Sequence, residues 1–336
     1  MAFFLCCYAD DQVIEPIPID NTGKMITTPY IDISNNFVLK IMNHTTVKRL
    51  KSPETKKVQT QTYYSALPAP RSKTVYVPND SIVDIDAEDT DNPLAAVEYV
   101  EDLYKFYKIA ESSSQVGGYM DLQKEITENM RMFLVDKLII VHDRFQLMPE
   151  TLYLTIHILD RYLATNRVVR KKQLKLIGIT AMLIASKYEE NVAIKVDELR
   201  SILVTLGWTL TVPTTYHLLV RFIKASLADQ EMESMVFFLA ELGLMQYAMI
   251  KYCPSMLAAS AVYAAQCTLK KTPQWSKTLE HYTGFSECQL IECAKLLVNF
   301  HSEAPEHELR VVYNKYSTCT HNIVALQPPA PQLLIN

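Results

Sequence analysis

Apolar positions fall into two regimes along the chain. Up to residue 92 they recur without sustained period, and Pro, Asn, Thr and Asp interrupt every few positions. Beyond Pro93 they recur at helical spacing almost without pause. Leu94, Val97, Val100, Leu103 and Tyr104 form a single stripe that predicts a helix over 93–108. Further helices are expected over 121–147, 150–164, 172–190, about 195–206, 213–227, 231–250, 254–270, 274–282, 286–301 and 305–316. Pro149, Pro213, Pro254 and Pro305 stand at openings, where a missing N–H costs nothing. Ser286 with Gln289 reads as a capping box. Ser112 to Ser114 reads as a linker, and the Pro-rich end after 316 as an irregular tail. No strand alternation or Asn-Gly hairpin appears, so the fold class is all-α.

Two of these helices are small on several faces: Gly178 to Lys187 and Leu257 to Gln266. At an offset of 79, small residues coincide at 180/259, 181/260, 185/264 and 186/265. Such helices let neighbours approach closely and belong at the centre of a bundle. Two of them imply two bundles in tandem, joined near Thr211 to Pro213. The expected organisation is a mostly disordered tail over 1–92, a first unit over 93–212, a second over 213–316 and a tail over 317–336.

Composition narrows the chemistry. Seven glycines stand where average usage would give about 23. Phosphate-cradling loops and doubly wound folds consume glycine, and neither GxGxxG nor GxxxxGK[ST] occurs. No HExxH or GxSxG is present. Cys6 and Cys7 are adjacent, and Cys288 and Cys293 project roughly 140° apart on a helix, so no zinc site is expected. No enzyme constellation, metal or cofactor is read. The net charge of −4 argues against a nucleic-acid coat, and Lys270, Lys271 and Lys277 lie among many acids. No apolar run reaches the ~18–20 residues that span a bilayer. Seven scattered cysteines fit a reducing compartment. Localisation in nucleus and cytoplasm is expected, with Lys48 to Lys57 a candidate basic patch.

Met130-Arg-Met-Phe-Leu-Val-Asp136, Leu147-Met-Pro-Glu-Thr-Leu-Tyr-Leu-Thr155, Leu159-Asp-Arg-Tyr-Leu163 and Leu183-Ile-Ala-Ser-Lys-Tyr-Glu-Glu190 follow in order. Met235 to Leu244, Tyr252 to Tyr263 and Ala294 to Val298 continue the series. Together they resemble the mitotic cyclins, the plant B type above all, over about residues 93 to 332. The resemblance implies two five-helix boxes preceded by an N-terminal helix. It implies a non-enzymatic regulatory subunit that binds a cyclin-dependent protein kinase, holds its mobile helix in the active position and acts at G2/M. Residue by residue it assigns kinase contacts to Lys187, Tyr188, Glu189 and Glu190. A buried ion pair falls to Arg131 and Asp160, with Leu176 packed beside it. A substrate groove for Arg-x-Leu peptides falls to Met130, Phe133, Leu134 and Leu174.

The chain departs from that pattern in three places. Only 17 residues separate Glu190 from Trp208, about 25 Å of helix, enough for one helix where the family has two. Leu199 stands where the family has a kinase-contacting Glu, with Glu198 about 100° away. In the groove, Lys137, Ile140 and Lys175 replace a Trp, a Glu and a Gln, reversing its preference for an Arg-bearing ligand. The tail holds no Arg-x-x-Leu destruction box. Two alternatives therefore stand beside the main reading: a degenerate cyclin that no longer activates a kinase, and a cyclin-box adaptor or transcription factor.

Overall fold

The computed structural model describes residues 82–92, 95–166, 169–190, 210 and 212–334. The tail before 82, the helix expected over about 195–206, Leu199 and Trp208 lie outside the described residues. The chain divides into two compact units, and the described part of the smaller is Asp89–Glu98. There the Asn92 amide donates to the Asp89 carbonyl (2.9 Å) and the Ala95 amide to that of Asn92 (3.0 Å). Everything that follows concerns the larger unit.

The described residues contain ten α-helices and no strand. They are α1 (Val97–Ser114), α2 (Glu128–Phe145), α3 (Pro149–Thr165), α4 (Lys171–Glu189), α5 (Thr215–Ala225), α6 (Gln230–Met245), α7 (Pro254–Thr268), α8 (Lys277–Thr283), α9 (Glu287–Glu303) and α10 (Val311–Tyr316). The fold is all-α, with two tandem bundles. α2, α3 and α4 pack on one another in the first, and α5, α6 and α9 surround α7 in the second. Of the 15 residues of α7, 13 are buried, so a helix of small side chains is central because it lets three neighbours close on it. α4 is buried continuously from Thr180 to Ser186. At Gly178 it crosses α2 so closely that a Cβ would lie 2.9 Å from the Leu134 methyl carbons.

Several helix limits differ from the sequence pattern, each for a local reason. α1 continues through the serines read as a linker, because Ser112, Ser113 and Ser114 hydroxyls donate back to carbonyls of Ile109, Ala110 and Glu111. The segment expected to open a helix at 121 is a 3₁₀ turn (Met120–Leu122), and α2 starts only after Thr127. Thr127 Oγ1 accepts from the Met130 amide and stops the helix extending backward. α6 ends at Met245, and Tyr247–Lys251 is a separate 3₁₀ helix. Pro149 and Pro254 hold first-turn positions, whereas Pro213 precedes the N-cap of α5 and Pro305 follows α9. Ser286 and Gln289 form a capping box. Residues after 316 are irregular yet packed, with Val324, Ala325, Ala330 and Leu333 buried.

α1 is fixed to the second bundle by a buried carboxylate. Glu111 accepts from the Ser255 amide (2.8 Å) and hydroxyl (2.6 Å), satisfying orphan donors at the positive end of α7.

The α2–α4 crossing has no spare volume. Gly178→Val is expected to destabilise the chain by about 1–3 kcal/mol through overpacking against Leu134, read as a lower urea midpoint.

Candidate functional site

The two bundles meet at one buried guanidinium. Arg131 (2% exposed) points from α2 to Asp160 (5% exposed) on α3. Nε donates to Oδ1 at 2.7 Å and Nη2 to Oδ2 at 2.6 Å, a bidentate fork. Nη1 crosses to the second bundle and donates to the carbonyls of Leu244 (3.1 Å) and Met245 (3.2 Å) at the negative end of α6. Tyr119 Oη donates to Asp160 Oδ1 at 2.7 Å. Burial works against the Arg131 charge, but Asp160 outweighs it and holds the group protonated. Tyr119 belongs to this cluster although the sequence reading passed it over. Leu176, which that reading placed beside the pair, is exposed instead.

At the C-terminal end of α4 the side chains diverge. Lys187 and Tyr188 are exposed, while Glu189 and Glu190 are half-buried. Lys187 has no hydrogen bond or ion pair among the described residues. The sequence reading aimed Glu190 outward, but its Oε1 is engaged within the protein. It accepts from the Met148 amide (2.7 Å) and Thr151 Oγ1 (2.8 Å). Met148 is the N-cap of α3 and has no capping side chain, so Glu190 supplies the missing acceptor. Burial pushes the Glu189 carboxyl up to about 7, and the charges of Glu150 and Glu190 push the same way. Burial also raises Glu150. The α4 end thus offers a free cation next to carboxylates that lack compensation.

The four groove residues do not share one surface. Leu134 and Leu174 are buried, Met130 is half-buried, and Phe133 is 53% exposed. Leu134 is occupied against Gly178. The Phe133 ring lies under the Lys137 ammonium, 4.9 Å from its centroid. Ile140, Leu176 and Phe133 are exposed apolar side chains of α2 and α4.

An all-helical protein of two tandem bundles joined through a buried Arg–Asp pair is the class this geometry defines. Residues 102–235 match the family description "Cyclin, N-terminal domain" and residues 213–330 "Cyclin, C-terminal domain". The chain is 54% identical over 273 residues to a G2/mitotic-specific cyclin-1 of Antirrhinum majus, covering 76% of this chain and 58% of that one. It is 51% identical over 304 residues to G2/mitotic-specific cyclin-2 of the same plant, covering 84% and 68%. Cyclin-B1-2 of Arabidopsis thaliana is 50% identical over 302 residues, covering 84% and 67%. Among solved structures, a viral cyclin from herpesvirus saimiri shares the fold with a TM-score of 0.54 at 18% identity, over 63% of this chain and 99% of that one. The chain belongs to the cyclin family. It spans about three fifths of the length of the first of these curated relatives.

Two predictions follow from the charges. Arg131→Met leaves Asp160 buried and unpaired and is expected to cost about 3–5 kcal/mol in urea unfolding, whereas Arg131→Met with Asp160→Leu recovers much of that loss. Glu189, ordinarily near 4.5 and here about 7, keeps its proton in the folded state where the unfolded chain has lost it. Stability therefore falls as pH rises from about 4.5 through 7. Glu189→Gln is expected to raise the thermal midpoint at pH 8 and leave it unchanged at pH 4.

Proposed function

We propose that this cyclin is a non-catalytic regulatory subunit that binds a cyclin-dependent protein kinase and acts at G2/M, in nucleus and cytoplasm. The observation that carries the reading is Lys187, an exposed and unpaired cation on the last turn of a helix whose preceding residues, Thr180 to Ser186, are buried. A donor on so rigid a base loses little freedom on docking, and its three N–H groups suit backbone carbonyls near the kinase's mobile helix. Binding the active conformer more tightly than the inactive one is sufficient to activate, with no catalytic group from the cyclin. Half-buried Glu189 and Glu150 add to the same end a demand for cationic partner groups. The names of the similar plant proteins, which are G2/mitotic-specific and B-type cyclins, support the cell-cycle stage.

Arg-x-Leu peptides are a poorer fit to the α2–α4 surface. Lys137 and Lys175 face such a ligand with like charge, and Leu134 and Leu174 are buried.

A pull-down with purified kinase followed by a histone-kinase assay tests the proposal. Lys187→Ala is expected to lose about 2–5 kcal/mol of binding, roughly 30-fold or more. Lys175→Ala should bind as the wild type does. Equal binding by wild type and Lys187→Ala places the interface elsewhere. Binding without kinase activity supports the degenerate-cyclin alternative.

A further inference from the structure

Residues 83–86 lie in a cleft between α1, α5 and α8 that has the chemistry of a peptide receptor. Ile85 is 1% exposed, the deepest side chain of the segment. Asp86 is held by three donors: Arg221 Nη1 and Nη2 reach its two oxygens at 2.6 and 2.7 Å, and Lys224 Nζ reaches Oδ1 at 2.8 Å. The Arg221 guanidinium lies 5.2 Å from the Tyr104 ring centroid and 5.0 Å from that of Tyr282. Aromatic faces orient the fork and leave its N–H edge for a carboxylate. The backbone is read as well. The Val83 amide donates to Thr278 Oγ1 (3.1 Å), Tyr282 Oη donates to the Val83 carbonyl (3.3 Å), and the Ile85 amide donates to Tyr282 Oη (3.4 Å).

This arrangement differs from ordinary core packing in two ways. The receptor groups come from α1, α5 and α8, whereas the ligand groups come from four consecutive residues. Two cations converge on one carboxylate, and Arg221 is buried. Vacated, the cleft would leave a buried guanidinium without a counter-charge, a costly state. It therefore selects for whatever carboxylate-bearing segment is at hand. Burial disfavours the Asp86 charge, but Arg221 and Lys224 outweigh it and hold its carboxyl below the ordinary range, so the clamp is closed at neutral pH.

We propose that the cleft between α1, α5 and α8 is a peptide-binding site for a short segment with an apolar residue immediately before a carboxylate, and that Val83–Asp86 occupies it as a tethered ligand which an acidic peptide of the same pattern can replace. The tether gives the chain's own segment a millimolar-scale local concentration, so a free peptide enters only when the tethered one is weakened or the competitor is itself tethered by a bound partner. The site lies on α1, α5 and α8, away from the Lys187 end of α4, and the proposal does not depend on kinase binding.

The test uses the full chain and a fluorescein-labelled peptide of residues 82–88, Ile-Val-Asp-Ile-Asp-Ala-Glu, followed by anisotropy. Two variants weaken the tethered ligand: Asp86→Ala, and Ile85→Ser with Asp86→Ala. The double variant is expected to bind the peptide at least tenfold more tightly than the wild type, with the single variant between them. Adding Arg221→Gln to either should weaken binding at least tenfold, and a peptide with Asn at its Asp86 position should not bind. Equal binding by wild type and opened chains overturns the proposal, as does binding that survives Arg221→Gln. Circular dichroism accompanies each measurement. Loss of helix in both opened chains would show residues 83–86 to be an integral part of the core, which also overturns it.

Discussion

The guanidinium of Arg131 is the point on which the two bundles depend. A buried charge is stable only if all of its donors are used, and here they are divided between two places. Two go to Asp160, which fixes α2 against α3. The remaining ones go to carbonyls at the end of α6, which fixes the first bundle against the second. Tyr119 completes Asp160, and the Tyr247 hydroxyl accepts from the Tyr119 and Met120 amides at 2.6 and 2.8 Å. An apolar pair of equal volume would fill the space but would not choose the relative placement of the bundles. The directional fork does.

The same solution recurs wherever a helix ends. Gln123 Nε2 donates to the carbonyls of Leu163 and Asn166 at the close of α3. Glu190 caps its start, and Glu111 caps the start of α7. A chain with seven glycines has few residues suited to left-handed helix termini. Gly284 takes that conformation after α8, but Gln146, Leu227 and Lys270 take it after α2, α5 and α7 at φ 51°, 52° and 53°. Each non-glycine residue there costs on the order of 1–2 kcal/mol. Distant side chains that satisfy helix ends offset this cost, and they also join elements far apart in sequence.

Helix count and centrality were legible because they depend on periodicity and side-chain size, which are local. The small residues of α4 and α7 announced their central positions, and the capping box at Ser286 its helix start. Residue types at Arg131 and Asp160 were readable through resemblance, but Tyr119 was not, since a tyrosine before a 3₁₀ turn carries no signal of what its hydroxyl meets 41 residues away. Glu190 was misdirected for a similar reason. A carboxylate after a Lys-Tyr-Glu run looks solvated, and only the fold shows that the uncapped Met148 lies within reach. The acidic run from Asp84 looked like part of a solvated tail, because the cations that bind Asp86 come from positions 221 and 224.

These contacts make the exposed end of α4 the output of a buried framework. α3 is held at two levels: Asp160 binds Arg131 towards its C-terminal end, and Thr151 in its first turn binds Glu190. Glu190 immediately follows the helix that carries Lys187. A change in the Arg–Asp pair therefore tilts α3, and the tilt is delivered through Glu190 to the end of α4 rather than absorbed in a loop. Packing reinforces the route, since Leu134 on α2 presses on Gly178 one turn or more before that end. Close-packed interiors shift as rigid units rather than deform continuously. The position of Lys187 is thus set by residues that no partner touches, and a surface fixed in this way loses little entropy when a partner binds it.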